Sequence, residues 1–269
     1  MRQKTLQRGF TLVELIMVIV IMGVIGGMVS VFMKAPIDAY FASARRAALT
    51  DVADTAVRRM ARDIGKALPN SIRNPNNQCL EFIPTKTGAR YRADVDAAGN
   101  GDILDFAAAD TSFDMLGANS ALADQAIAVG DLVAVYNLGI PGADAYDLAN
   151  TSAVTGVGAG TLPNETKITI TSKLFPLASG NNRFHVIPGG ENVVAFVCSG
   201  GNLRRTVRAF ADAACPATGP ILANNVGSCN LVYNGSDLQR NALVQLSFTI
   251  TDSAETVSLY HEVHVNNTP

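Results

Sequence analysis

From Leu15 to Met33 the chain offers nineteen consecutive uncharged residues, and this run limits the fold more than any other stretch. As a helix it would extend about 28 Å, the thickness of a bilayer's hydrocarbon core. Arg2, Lys4 and Arg8 stand just before it, so the positive-inside tendency leaves the N-terminus in the cytoplasm and carries the remainder outward. Between Arg8 and Lys34 the one charge is Glu14. A carboxylate in a spanning helix costs up to about 3 kcal/mol at the bilayer centre and usually marks function. A secretory signal peptide does not account for the segment, because the run is too long and residues 31–41, VFMKAPIDAYF, offer no clean A-x-A cleavage site. A plain signal anchor explains the length and the basic leader but gives no reason for Glu14.

Residues 8–15, Arg-Gly-Phe-Thr-Leu-Val-Glu-Leu, resemble the prepilin signal of type IV pilins and type II secretion pseudopilins. The resemblance implies a prepilin peptidase that cuts after Gly9 and N-methylates the new first residue, Phe10. It also makes Glu14 the fifth residue of the mature chain, the position of the family's glutamate. Cleavage exposes an amine at Phe10, four residues from Glu14. When such helices pack with an axial offset, one subunit's Glu14 can face its neighbour's Phe10 amine. Pairing offsets the burial of both charges and fixes the stagger, whereas an unpaired partner is penalised.

Beyond the apolar run the helical pattern continues. Gly23, Gly26 and Gly27 allow close helix approach, and a kink falls at Gly26–Gly27 or at Pro36. After Pro36, Leu49, Val52, Ala53, Ala56, Met60, Ile64 and Leu68 recur at three- and four-residue steps and draw one apolar stripe. Asp54–Arg58 and Arg59–Asp63 are spaced for pairing along the other face. Arg45, Arg46, Arg58, Arg59 and Arg62 read as a solvated face, with an inter-subunit patch as the alternative. Pro69 stops the helix at Leu68. The expected divisions are thus a cleaved leader 1–9, a helix 10–68 (10–33 in the membrane or filament core, 36–68 amphipathic) and a periplasmic domain 70–269.

From Asn70 onward the pattern is β. Strands are expected at 79–83, 102–106, 131–138, 167–175, 183–187, 192–198, 203–210, 229–233, 243–250 and 256–265, where β-branched and aromatic residues alternate. Ser199-Gly200-Gly201-Asn202 signals a hairpin, and a second long hairpin turns at 251–255. Residues 107–130 and 139–164, rich in Ala, Gly, Asn and Asp, read as long surface loops. The fold class is therefore α+β, a long N-terminal pilin helix packed on an antiparallel β-sheet globular domain. This whole arrangement resembles the larger minor pilins and J-type pseudopilins, and the segments Phe196–Arg204 and Leu222–Tyr233 are most similar to minor pilins of the mannose-sensitive haemagglutinin (MSHA) pilus, MshO type.

Cys79, Cys198, Cys215 and Cys229 all fall in the part expected in the oxidising periplasm, so two disulfides are the default. Three pairings are open. Cys215–Cys229, clipping a Pro/Gly-rich loop, with Cys79–Cys198 is the favoured one. Residues 94–105, DVDAAGNGDILD, place Asp94, Asp96, Asp102 and Asp105 at EF-hand offsets with Gly99 at the sixth position. Ala98 and the lack of flanking helices weaken this calcium candidate, and a polar turn is the preferred reading. His261 and His264 sit three apart in a strand and face opposite ways, which defeats a two-histidine metal site. No nucleophile elbow, phosphate loop or dinucleotide glycine pattern occurs, so neither an enzyme nor a cofactor is expected. Residues 74–269 carry 18 acidic against 10 basic residues, a surface that repels phosphate backbones and makes nucleic acid an unsuitable partner.

These features point to a minor pilin that primes assembly or caps the tip of a type IV filament in a Gram-negative bacterium. The partners so implied are the prepilin peptidase, the other minor pilins, the major pilin and the inner-membrane assembly platform. A J-type pseudopilin is the alternative within the class, and a signal-anchored periplasmic binding domain that never polymerises is the alternative outside it.

Overall fold

A computed structural model describes residues 9–235, 241–253 and 255–269. Most of the basic leader, including Arg2, Lys4 and Arg8, lies outside the described residues. Helix α1 runs without interruption from Leu12 to Ile64, through Gly26–Gly27 and through Pro36. Pro36 has no N–H, so the carbonyl of Phe32 loses its helical donor, yet the helical conformation persists on both sides. The chain divides into two units, Met1–Ala48 and Leu49–Pro269, and the division falls inside α1.

The first unit is helix alone from Leu12, and every residue from Gly9 to Phe41 is exposed. Its side chains from Leu12 to Met33 are overwhelmingly apolar, with an 18-residue window of mean hydropathy 2.7, none of it buried. It is the one helix among the described residues long and apolar enough to cross a membrane.

The second unit begins with the last four turns of α1, followed by strands in chain order. These are β1 (Arg73–Asn76), β2 (Cys79–Phe82), β3 (Thr87–Arg90), β4 (Asp110–Leu116), β5 (Leu132–Val135), β6 (Thr151–Ala159) and β7 (Glu165–Lys173). They continue as β8 (Arg183–Ile187), β9 (Val193–Ser199), β10 (Asn202–Arg208), β11 (Ile221–Ala223), β12 (Val226–Asn234), β13 (Asn241–Asp252) and β14 (Glu255–Asn266). All pairings are antiparallel, in three sheets ordered β1-β2-β9-β10-β11, β12-β13-β14 and β3-β8-β5-β6-β7-β4. The fold is thus α+β, one long helix with antiparallel sheets.

The apolar stripe of α1 explains its place. Leu49, Ala53, Ala56, Val57, Met60 and Ile64 are buried and pack with Leu80, Phe82, Val194 and Phe196 of the five-stranded sheet. Leu246, Phe248 and Ile250 of the three-stranded sheet close the same core. Val57 takes the place expected of Val52, which is 41% exposed, because the stripe drifts around the helix. Helix α1 ends at Ile64, short of Leu68. Lys66 and Ala67 bond only three residues back, Leu68 then donates to the Ile83 carbonyl, and Ala67 bridges Pro84, so sheet contacts claim the chain before Pro69 does.

The six-stranded sheet has a core of its own. Phe113, Met115, Val133, Val135, Val154, Ile168, Ile170, Phe184 and Val186 lie on one face. Its two edge strands meet where Tyr91 bridges Met115 and Arg92 donates to the Asp114 carbonyl, so the sheet curls around this core as a small barrel. Two expectations are corrected here. Residues 102–106 are not a strand: Leu104 is buried, but the segment's backbone makes only isolated bonds to Arg92, Asp110 and Asp114 and joins no ladder. The stretches read as loops hold β4 and β6. Their Gly, Ala and Asp residues hid the pattern, yet Phe113, Met115 and Val154 each face the barrel interior and the pairing with β7 does the rest.

The expected hairpins are present. β9 and β10 turn on Gly200 and Gly201, both at positive φ (56° and 73°), as a two-residue primed turn requires. β13 and β14 pair through twelve residues each, from Asn241–Asn266 to Asp252–Glu255.

Candidate functional site

Gly9 and Phe10 precede the helix without regular structure, and Phe10 is 81% exposed. Thr11 is the last non-helical residue, and its carbonyl accepts the first helical bond, from Leu15 N–H at 3.2 Å. The Glu14 N–H donates to Thr11 Oγ1 at 3.3 Å, while Glu14 Oε2 accepts from the Thr11 N–H and from the Thr11 hydroxyl, each at 3.2 Å. Thr-Leu-Val-Glu is therefore a reciprocal capping box, satisfying donors that an N-terminus otherwise leaves orphaned. The Glu14 carboxylate also lies at the positive end of the helix dipole. So this carboxylate has a local use as well as the intermolecular one its position suggests, and both place it in the first helical turn, four residues from the Phe10 backbone.

The cysteines pair as Cys79–Cys215 and Cys198–Cys229, with Cα separations of 6.0 and 6.3 Å. The expectation of Cys215–Cys229 with Cys79–Cys198 is overturned by strand register. Cys79 stands opposite Val197 in the ladder, so Cys198 is one residue out of phase and its side chain leaves the opposite face. Cys79 packs with Ala195, Val197 and Cys215, whereas Cys198 packs in the helix-side core, where β12 brings Cys229.

Behind Cys215 lies a charged network that the sequence did not announce. Arg208 Nη2 and Nε donate to the two carboxylate oxygens of Glu81 at 2.8 and 3.2 Å, and both side chains are almost wholly buried. Arg208 Nη1 also donates to the carbonyls of Ala209, Phe210 and Asp212, holding the loop that leads to Cys215. The Arg73 guanidinium carbon stands 3.6 Å from the Tyr146 ring centre, with Arg208 on the same ring at 5.8 Å. Burial, and then the charge of Glu81, push the Tyr146 phenol well above its ordinary range. The only trace of this in sequence is the charge inside two strand-like runs, Glu81 in CLEFI and three arginines in LRRTVRAF.

The other candidates disperse. Asp96 accepts from the backbone N–H of Ala98 and Asn100, Asp105 from that of Ala107, and Asp102 accepts from Ser112 and pairs with Lys167. Asp94 remains exposed. Asp96 and Asp105 are thus committed to their own stretch, Asp102 to Ser112 and Lys167, and Asp94 is solvated, and among the described residues no group of three or more His, Cys, Asp or Glu could hold a metal ion. His261 and His264 alternate faces along β14, as a strand demands. Asp54 pairs with Arg58 at 2.6 Å as spaced, but Asp63 turns to Arg205 at 2.8 Å in place of Arg59. Arg205 is in turn clamped by both oxygens of Glu191, joining α1 to β10.

A family model described as the prokaryotic N-terminal methylation motif matches residues 4–30. Neither the curated proteins nor the solved structures contain a match to this chain. The matched segment holds the Gly9–Phe10 bond, the Thr11–Glu14 box and most of the exposed apolar run.

Proposed function

We propose that this chain, whose N-terminal methylation motif indicates a type IV pilin-like prepilin, is a minor pilin of an MSHA-like pilus. The observation that carries the reading is the motif laid over an exposed Gly9–Phe10 bond and a helix that opens at Thr11 with Glu14 in its first turn. A membrane peptidase removes residues 1–9 and methylates Phe10. The cut leaves an amine beside a helix long and apolar enough to remain in the inner membrane, with the sheet domain in the periplasm. On assembly, the new amine of one subunit neutralises Glu14 of another. That exchange is favourable because both charges otherwise lie in an apolar bundle without an opposite charge. The 221-residue second unit is bulky for a repeating shaft subunit, which supports a place at the start or tip of the filament.

Co-expression with the prepilin peptidase tests this. The intact mass is expected to fall by the mass of residues 1–9, offset by the gain of one methyl group, with Phe10 as the new N-terminus. An unchanged mass overturns the reading and favours a plain signal anchor.

A further inference from the structure

On the barrel's outer face, β3 and β8 place Arg90 directly opposite Arg183 in the ladder. Like charges directly opposite each other on neighbouring strands are destabilising. Carboxylates are not scarce here, since this domain is acidic overall, and three of the barrel's other cations use them, while Lys173 donates to the Leu148 carbonyl. Lys86 pairs with Asp131, Arg92 with Glu165 and Lys167 with Asp102. Among the described residues, no carboxylate lies within ion-pair distance of Arg90 or Arg183.

The same face brings a third donor. His185 follows Arg183 by two residues and stands opposite Gly88, so Gly88, Arg90, Arg183 and His185 share one side of the ribbon. The bare Cα of Gly88 lets the imidazole lie against β3, because a Cβ there would come within 3.2 Å of His185 Nδ1 and of the Phe184 carbonyl oxygen. The other ring nitrogen, Nε2, is buried and has no hydrogen-bond partner. Burial first, and then the charge of Arg183, hold the His185 imidazole below its ordinary range, so at neutral pH it is an uncharged group with one N–H to give. These residues, with Ala89 and Phe184, line a cavity of about 310 Å³.

We propose that the Arg90–Arg183–His185 cluster is an oxyanion-binding site, taking a sulfate or phosphate group, free or carried on a sugar. Two guanidiniums offer planar forks that suit tetrahedral oxyanions, and a bound dianion converts their mutual repulsion into two charge-assisted contacts. The apolar stems of the two arginines leave room for a ring attached to the anion. This inference concerns residues remote in sequence from the processing motif and stands whether or not the chain polymerises.

Calorimetric titration of the full chain in neutral detergent, against sodium chloride at equal ionic strength, tests it. Sodium sulfate and glucose 6-sulfate are the two probes. The expected result is saturable, chloride-resistant binding that Arg90→Ala and Arg183→Ala each weaken at least tenfold. Lys66→Ala, an exposed cation elsewhere on the domain, leaves it unchanged. Equal affinity for the two probes identifies a free-anion site, and tighter binding of glucose 6-sulfate identifies a sugar-borne anion. Heats no larger than the chloride blank, or arginine variants that bind as the parent does, overturn the site. Because both arginines are exposed, these variants keep the fold, and an unchanged melting temperature verifies that.

Discussion

Thr11 and Glu14 satisfy each other at the start of α1, so removing the Glu14 carboxylate takes away more than the proposed filament contact. Glu14→Ala loses one half of the box, at a cost of about 1 kcal/mol to the first turn alone. Such a variant is expected to be inserted, cleaved and stable, yet at least tenfold less abundant in sheared filaments than in the membrane fraction. Normal recovery in filaments would remove the charge-pairing mechanism. A different residue-scale penalty applies at Glu81. Replacing it with alanine strands the Arg208 guanidinium in the interior, which costs about 3–5 kcal/mol, whereas Glu81→Leu with Arg208→Met strands no charge and costs less, its loss confined to the three loop carbonyls that Arg208 holds. Chemical unfolding of both variants, followed by β-sheet circular dichroism, separates the two outcomes. The T-x-x-E signature of the box lay inside the processing motif, where Glu14 was expected only to meet a neighbouring subunit. The buried pair left no such signature, because its members are 127 residues apart and only the fold brings them together.

Elements rich in β-branched and aromatic residues announced themselves, and β8 was read to the residue. β4 and β6 did not, since each shows its partners only two or three large apolar side chains and fills the remainder with Asp, Thr, Ser and Gly. Alternation over so few residues is visible only once the neighbouring strand is known. Register decided the cystines in the same way: a shift of one residue exchanges the faces of β9, so cysteine spacing alone could not tell Cys198 from its neighbours. Peptide mapping without reduction should recover Cys79 joined to Cys215 and Cys198 joined to Cys229. Recovery of a Cys79–Cys198 peptide would contradict the register. In the chain-entropy account, bridging 136 residues contributes about 5 kcal/mol and bridging 31 residues about 4 kcal/mol. Loss of the first bridge is therefore the costlier of the two.

For the molecule as a whole, acid is the weak side. The His185 imidazole, buried and beside Arg183, is held below its ordinary value of 6.5, so the unfolded chain takes up this proton before the folded one does. Its contribution is complete above about pH 6.5 and declines as pH falls through the folded value. Glu191, hydrogen-bonded to Arg205, is held below its ordinary 4.5, so its contribution is present above that value and is lost on further acidification. Unfolding free energy measured in chloride buffer free of phosphate and sulfate should therefore be level above neutrality, sag below pH 6.5 and fall again below 4.5. His185→Gln should remove the first decline and leave the second. A profile with no change between pH 7 and 5 would show that the ring is not buried as described.

The two cystines also interlock along the chain, because Cys198 lies inside the loop closed by Cys79–Cys215 and Cys229 lies outside it. A cut between Cys79 and Cys198 is spanned by the first bond, one between Cys215 and Cys229 by the second, and one between Cys198 and Cys215 by both. A protease can therefore nick any single peptide bond between Cys79 and Cys229, exposed loops of the barrel included, without releasing a fragment. The terminal β-hairpin and the membrane-grade helix thus stay in one covalent body after any such single cut.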